Sequence, residues 1–157
     1  MKVIFLDVDG VLNSEHSHSI DKNDNWMENE VSDTHIQWLK KIVDETGAKI
    51  VLSSSWRHYH PIATGNDTIT DPLFKVLDRK LREVGLKIID ITPDLSGKMR
   101  GLEVQEWLNA HLDVTKYVIL DDDADFTVEQ KPFFVNTTFK YGLTEILAIK
   151  AINILNG

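Results

Sequence analysis

Short apolar runs alternate with amphipathic stretches along the chain, and this alternation is the strongest indication of its fold. Most of the runs are continuous rather than alternating in polarity, which is typical of strands covered on both faces in a parallel sheet. The predicted strands are Lys2–Val8, Ala48–Ser53, Leu86–Ile91, Tyr117–Asp121 and Pro132–Thr137. The pattern therefore predicts an α/β domain with a doubly wound, Rossmann-like, five-stranded parallel sheet.

Four helices are predicted between and after the strands, because apolar residues recur there at helical spacing. They run from about Ser32 to Thr46, from Asp71-Pro72 to Gly85, from about Gly101 to His111, and from about Leu143 onward. In the last two helices, the residues predicted to face the core are Leu102, Trp107, Leu108, Ile146, Leu147, Ile149 and Ile152. No repeat or linker interrupts the pattern, so residues 1–157 are predicted to form a single domain.

Two long polar connections do not fit the alternation of strands and helices. Residues 13–31 follow the first predicted strand, and residues 57–70 follow the second. Ligands in open α/β sheets bind beyond the carboxyl ends of the strands, where both connections begin. We expect the first connection to form a polar flap and the second to form a long loop, both bordering a functional site.

The composition narrows the classes of function. The chain has 157 residues, of which 42% are hydrophobic, and it contains no cysteine, so disulfides, thiolate catalysis and cysteine-based metal sites are excluded. The apolar runs are too short to span a membrane, and an acidic residue comes too early for a secretory signal, so we expect a cytoplasmic protein. The net charge of −8 argues against a broad nucleic-acid-binding surface and is compatible with a carboxylate site for a divalent cation.

Two aspartates, Asp7 and Asp9, follow the first predicted strand and precede Gly10. Residues two apart in an extended chain lie on the same side, and two like charges that close need a cation or a shared proton. Gly10 allows the backbone to turn sharply after them. A turn with two surface aspartates is the simpler interpretation of this segment taken alone.

The second and fourth strands end in further polar groups. Ser53 and Ser54 follow the second strand, where hydroxyl and backbone N–H groups can hold a phosphoryl oxygen. Asp121, Asp122 and Asp125 belong to an acidic run after the fourth strand, at the sheet edge that also carries the first aspartates. All of these ligands are hard oxygens, so the sequence predicts a magnesium site.

The order of these segments resembles the haloacid dehalogenase (HAD) superfamily across essentially the whole chain. Residues 7–11 resemble its first motif, Ser53 its second, and Asp121-Asp122 its fourth. Longer matches, over residues 5–14, 53–57, 100–108 and 120–123, resemble a branch of small phosphatase-like domains. That branch occurs alone in phages and bacteria and within multidomain Swiss Army Knife RNA repair proteins.

The resemblance implies a phosphatase mechanism. Asp7 would be the nucleophile that forms an aspartyl-phosphate, and Asp9 would be the general acid and base. For the third motif the branch pattern indicates Arg100, whereas Lys98 offers the lysine that is usual in the superfamily. A receiver domain, which is phosphorylated on an aspartate, would carry its acidic pair after the first strand, that aspartate after the third and a lysine after the fifth. Here the fifth predicted strand ends in Asn136-Thr137-Thr138 without a lysine, so the order of residues does not fit a receiver domain.

The resemblance also implies the remaining binding residues. The Mg²⁺ ligands would be Asp7, the Asp9 carbonyl and Asp122, with Asp121 or Asp125 as a further ligand. The residues expected to bind the phosphate are Ser53, Ser54, Arg57 and Gly10, together with the cation of the third motif.

The intervals between the motifs are too short for a separately folded cap domain, so an open site is expected. The expected substrate is a terminal phosphate on RNA, DNA or a nucleotide, with Trp26 or Trp56 stacking on its base. The alternatives are a small-metabolite phosphatase and a catalytically silent phosphate- or metal-binding module. The sequence indicates no membrane association and no obligate protein partner.

Overall fold

The computed structural model describes residues 1–157 and contains one five-stranded sheet in which every strand pair is parallel. The strands are β1 (Lys2–Leu6), β2 (Lys49–Leu52), β3 (Ile88–Ile91), β4 (Lys116–Asp121) and β5 (Phe134–Asn136). Their spatial order is β3-β2-β1-β4-β5, so the first strand lies at the centre with β2 and β4 beside it. The predicted five-stranded parallel α/β fold is therefore confirmed.

The structure has seven α-helices rather than the four predicted. They are α1 (Glu15–Ile20), α2 (Trp26–Asn29), α3 (Asp33–Thr46), α4 (Pro61–Thr64), α5 (Pro72–Glu83), α6 (Arg100–Asn109) and α7 (Glu145–Asn156). The additional helices α1, α2 and α4 have four to six residues and lie in the two segments expected to be irregular. Helices this short have too few turns to show an apolar period, and side-chain caps from Ser14, Asn25 and His60 begin them.

Several predicted boundaries were too wide. β1 ends at Leu6 rather than Val8, because the chain leaves the sheet there toward the turn at Gly10, which has φ 76°. β3 begins at Ile88, and β5 is shortened by a 3₁₀ turn over Lys131–Phe133. Element ends depend on hydrogen bonds from neighbouring segments, which hydropathy does not report.

The strand β1 contributes to apolar cores on both faces of the sheet. Ile4 and Leu6 belong to the larger core, which includes the buried residues of α3, α5 and α7. Val3 and Phe5 belong to a smaller core on the other face, where Trp107 of α6 packs edge-on against Phe5. Burial of both faces explains the continuous apolar runs that predicted a parallel sheet.

The apolar faces of α6 and α7 differ from those predicted. Ile146 and Ile149 are exposed, whereas Ala148 and Ala151 are buried completely. Leu102 is also exposed. The small alanines let α7 lie against the sheet, and hydrophobicity alone does not show that the smaller residues face inward.

The two segments beside the carboxyl edge of the sheet contain no second sheet. Between β1 and α3 the longest element is the six-residue helix α1, and between β2 and α5 there are only α4 and a 3₁₀ turn over Ser55–Tyr59. None of the helices combines the length and the apolar character that are needed to cross a membrane.

Candidate active site

The register of the three central strands brings the sequence motifs together. Leu6 of β1 pairs with Leu52 of β2 and with Leu120 of β4, so the residues that follow them lie side by side at one edge of the sheet. The Asp7 N–H donates to the Leu120 carbonyl at 3.0 Å, and the Ser53 N–H donates to the Leu6 carbonyl at 2.8 Å. The parallel sheet thus gathers the first, second and fourth motifs at its carboxyl edge.

A pocket of about 200 Å³ lies at this edge, and no hydrophobic residue lines it. Its lining residues are Asp7, Asp9, Ser55, Arg100, Asp121, Asp122, Asp123 and Asp125. Six carboxyl groups face a single guanidinium in this pocket. A dianionic phosphate would be repelled from such a site unless a cation were present.

Three of these aspartates have the arrangement of a metal site. Asp7, Asp121 and Asp122 each offer a carboxylate oxygen, and the three oxygens lie within 4.8 Å of one another. No hydrogen bond is directed to the Asp9 carbonyl, which leaves that oxygen free to bind a cation as well. Hard oxygen donors of this kind fit Mg²⁺.

The electrostatics of the cluster also favour a cation. Burial, followed by the charge of Asp121, raises the pKa of Asp7 to about 7, although Arg100 acts in the opposite direction. Burial likewise raises the pKa of Asp121 to about 6. A divalent cation beside these two carboxyl groups would offset the cost of ionising them and would lower both pKa values.

Arg100 lies between the first and fourth motifs. Its Nη1 is 3.3 Å from Asp7 Oδ1 and 3.0 Å from Asp121 Oδ2, and it also donates to the Ser53 carbonyl at 3.0 Å. The backbone N–H of Arg100 donates to Asp125 Oδ2 at 2.9 Å, which fixes the start of α6 beside the pocket. Lys98, the alternative for the third motif, is exposed and does not line the pocket.

Asp9 extends from the turn and accepts one hydrogen bond on each carboxylate oxygen. Asn13 Nδ2 donates to Oδ1 at 2.9 Å, and the indole N–H of Trp56 donates to Oδ2 at 3.1 Å. Trp56 is only 7% exposed, so the expectation that its ring stacks on a substrate base is wrong. Trp26 is 64% exposed on α2 and retains an accessible ring.

The three serines after β2 face different surroundings. Ser53 is buried beside the cluster, and its Oγ has no hydrogen-bond partner. Ser54 is buried, and its Oγ accepts the N–H of Trp56 at 3.2 Å. Ser55 is exposed and is the serine that lines the pocket. Ser53 thus offers an unpaired hydroxyl next to the site, whereas the Ser54 hydroxyl caps its own turn and also acts on Asp7, whose pKa its hydrogen bond lowers.

None of the four predicted phosphate ligands, Ser53, Ser54, Arg57 and Gly10, lines the pocket, and the last two are engaged elsewhere. Arg57 is buried, and its guanidinium forms an ion pair with Glu103 at 3.1 Å and a hydrogen bond to the Ser54 carbonyl at 3.1 Å. The Gly10 N–H donates to Asn13 Oδ1 at 3.0 Å and is therefore occupied. Arg57 anchors the turn after β2, and Gly10 makes room for the neighbouring carboxylate of Asp122.

Asn13, Ser55 and Asp123 contact or line the site and were not singled out from the sequence. Ser55 and Asp123 belong to runs of identical residues. Within such a run, which residue lines the pocket depends on the direction of each side chain, and the sequence does not show that direction. Asn13 is three residues after Gly10, a spacing at which an asparagine side chain often bonds to the backbone of its turn. This spacing is the feature of the sequence from which a role for Asn13 could have been predicted.

The geometry of the site agrees with the family that the chain matches. The family described as "HAD domain in Swiss Army Knife RNA repair proteins" matches residues 3–148. The chain matches no curated protein and no solved structure. Apart from Lys2, the match covers every strand residue and every motif residue described above, and the chain therefore belongs to this family of HAD domains.

Proposed function

We propose that the chain is a magnesium-dependent phosphomonoester hydrolase that forms an aspartyl-phosphate on Asp7. The observation that carries this proposal is the position of Asp7, whose carboxylate lies 3.3 Å from the Arg100 guanidinium and within 4.8 Å of the Asp121 and Asp122 oxygens. Membership of a HAD family supports a hydrolase in general. The finer assignment rests on the chemistry of this cluster.

Asp7 supplies the nucleophile. One carboxylate oxygen attacks phosphorus while the bond to the leaving alcohol breaks, which gives an acyl phosphate on Asp7 and the free alcohol. Water then attacks the phosphorus, the Asp7–phosphate bond breaks, and inorganic phosphate leaves. Arg100 remains beside Asp7 in both steps and offsets the negative charge on the phosphoryl oxygens.

Asp9 supplies the proton. In the first step its carboxyl group protonates the oxygen of the leaving alcohol, and in the second step its carboxylate accepts a proton from the attacking water. Asp9 lies at the exposed side of the pocket, two residues beyond the nucleophile, as this role requires.

The residues that would hold Mg²⁺ are Asp7, Asp122 and the Asp9 carbonyl, with Asp121 as a further carboxylate in the cluster. When bound, the ion supplies positive charge that stabilises the transferring phosphoryl group. Asp121 is also hydrogen bonded to Arg100 at 3.0 Å and to the Asp123 N–H at 2.9 Å, so it orients the arginine as well.

The proposed substrate class is a terminal phosphate on a nucleic acid or a nucleotide. The pocket is small and entirely polar, so it fits a phosphoryl group, and the rest of the substrate must lie outside it. The adjacent segments contain only short helices and no cap domain, which leaves space for the end of a large substrate. Trp26 offers an exposed ring on one of these segments. A small-metabolite phosphatase is the alternative substrate class.

Hydrolysis of p-nitrophenyl phosphate tests the reaction. We expect turnover with Mg²⁺, none with EDTA, and none in Asp7→Asn, because an amide is neither a nucleophile nor a charged ligand. Asp67→Asn, on the exposed second connection, is the matched control and should keep full activity. A wild-type protein that binds Mg²⁺ but hydrolyses no phosphomonoester would identify the domain as a silent binding module.

The substrate class needs a separate comparison. We expect kcat/KM to be higher for oligonucleotides with a 5′- or 3′-terminal phosphate than for sugar phosphates of equal charge. Equal or lower values for the oligonucleotides would favour the small-metabolite alternative.

A further inference from the structure

We infer that Trp56 and Asn13 are positioning residues that hold the Asp9 carboxylate in the orientation needed for proton transfer, an inference that rests on the proposed function. The two donors come from different segments. Asn13 follows the turn after β1, and Trp56 belongs to the 3₁₀ turn after β2. Each donates to a different oxygen of the same carboxylate, at 2.9 Å and 3.1 Å. A carboxylate held through both oxygens has a fixed plane and direction.

Both donors are more deeply buried than the group they hold. Asp9 is exposed, whereas Asn13 is 1% exposed and Trp56 is 7% exposed. The Trp56 ring packs in the larger core, and its backbone N–H is bonded to Ser54 Oγ at 3.2 Å. The position of the indole N–H is therefore set by packing rather than by the hydrogen bond it makes to Asp9.

Asn13 is fixed by its other hydrogen bonds. Its Oδ1 accepts the Gly10 N–H at 3.0 Å, and its Nδ2 donates to the Glu30 carbonyl at 2.9 Å as well as to Asp9. Because the amide oxygen is bound to Gly10, the amide nitrogen must face Asp9. The contact with Glu30 also links Asp9 to the segment that contains α2.

These two hydrogen bonds counteract the repulsion within the pocket. Five other aspartates line the same pocket, and an unrestrained Asp9 side chain would turn away from them into solvent. Each carboxylate oxygen has two lone pairs, so one donor on each still leaves a site for the transferred proton. The donors thus restrain Asp9 without blocking its role.

Trp56→Phe tests this inference, because it removes the indole N–H and keeps an aromatic ring. We expect kcat/KM for an alkyl phosphate to fall roughly tenfold, a part of the ~100-fold or more that general acid catalysis contributes. For p-nitrophenyl phosphate we expect a change below about twofold, since p-nitrophenolate is a good leaving group that needs no proton. Asn13→Ala, which removes the amide donor without adding a charge, should show the same selective loss.

Trp107→Phe is the matched control. Its indole N–H also donates to a carboxylate, Asp90 Oδ2 at 2.8 Å, but neither residue lines the pocket. This variant should keep both kcat/KM values. An equal loss of both activities in Trp56→Phe, or no loss at all, would overturn the inference, whereas a wild-type protein without phosphatase activity would overturn the proposed function.

A measurement independent of activity completes the test. The chain has four tryptophans, and the indole N–H signal of Trp56 is identified in a ¹H–¹⁵N spectrum as the one that Trp56→Phe removes. In Asp9→Ala we expect this signal to shift and the Trp107 signal to stay in place. An unmoved Trp56 signal would show that the indole does not donate to Asp9.

Discussion

Gly10 and Asp122 lie so close together that a Cβ atom on Gly10 would overlap the carboxylate group of Asp122. Gly10 also has φ 76°, in the left-handed region that favours glycine. Two separate constraints therefore require glycine at this position, and one of them directly concerns a carboxylate of the proposed metal site.

Gly10→Ala should abolish phosphatase activity and weaken Mg²⁺ binding at least tenfold, because the new methyl group must displace Asp122. Gly85→Ala is the matched control, since Gly85 has φ 79° and nothing within 4 Å of an added Cβ. Both variants carry a backbone strain of about 1–2 kcal/mol, so only the contact with Asp122 differs. Calorimetric titration with Mg²⁺ measures the difference, and equal affinities in the two variants would contradict this role for Gly10.

The stability of the metal-free protein should fall as the pH rises from 5 to 8. The pKa of Asp7 is raised to about 7 and that of Asp121 to about 6, from an ordinary value of 3.8. The folded protein thus keeps protons that the unfolded chain loses. This stabilisation is complete below about pH 4 and is lost as the pH rises through 6 and 7.

Urea unfolding in EDTA measures this dependence. The expected decrease in the free energy of unfolding between pH 5 and pH 8 is about 4 kcal/mol. Asp7→Asn, which cannot ionise, should show a smaller decrease, and Mg²⁺ should stabilise the wild type more at pH 8 than at pH 5. The same pH dependence in the variant and the wild type would mean that Asp7 does not titrate in this range.

Arg100→Ala should lower kcat/KM by about 100-fold or more, because it removes the only cation that lines the pocket. Lys98→Ala should change kcat/KM by less than about twofold, since Lys98 is exposed and lies outside the pocket lining. Steady-state kinetics with p-nitrophenyl phosphate compare the two variants. The opposite ranking would assign the third-motif role to Lys98.

Arg57→Met should destabilise the fold by about 3–5 kcal/mol, because it leaves the buried carboxylate of Glu103 without its partner. The double variant Arg57→Met with Glu103→Leu should regain much of this stability, since no unpaired buried charge remains. Thermal unfolding measures both changes. If Arg57→Met instead keeps its stability and only raises KM, Arg57 binds substrate as the sequence predicts.

The sequence by itself determined the parallel sheet and the location of the site. Short continuous apolar runs separated by amphipathic helices are typical of strands buried on both faces, as β1 is, and parallel strands end at one common edge. The aspartates that follow the first and fourth runs had therefore to meet, and the strand register places Asp7 beside Asp121. These conclusions depend on the local pattern and on a general property of parallel sheets, so they need no knowledge of side-chain direction.

Only the tertiary structure decided which polar side chains enter the pocket. Ser53, Ser54 and Ser55 are identical in the sequence, yet only Ser55 lines the pocket, because the chain changes direction there from the end of β2 into the 3₁₀ turn that begins at Ser55. Arg57 turned inward because Glu103, 46 residues away along the chain, offers it a buried carboxylate. The hydrogen bond from Trp56 to Asp9 joins two loops across 47 residues. Contacts of this kind follow from how distant segments pack, and no periodicity or spacing along the chain records them.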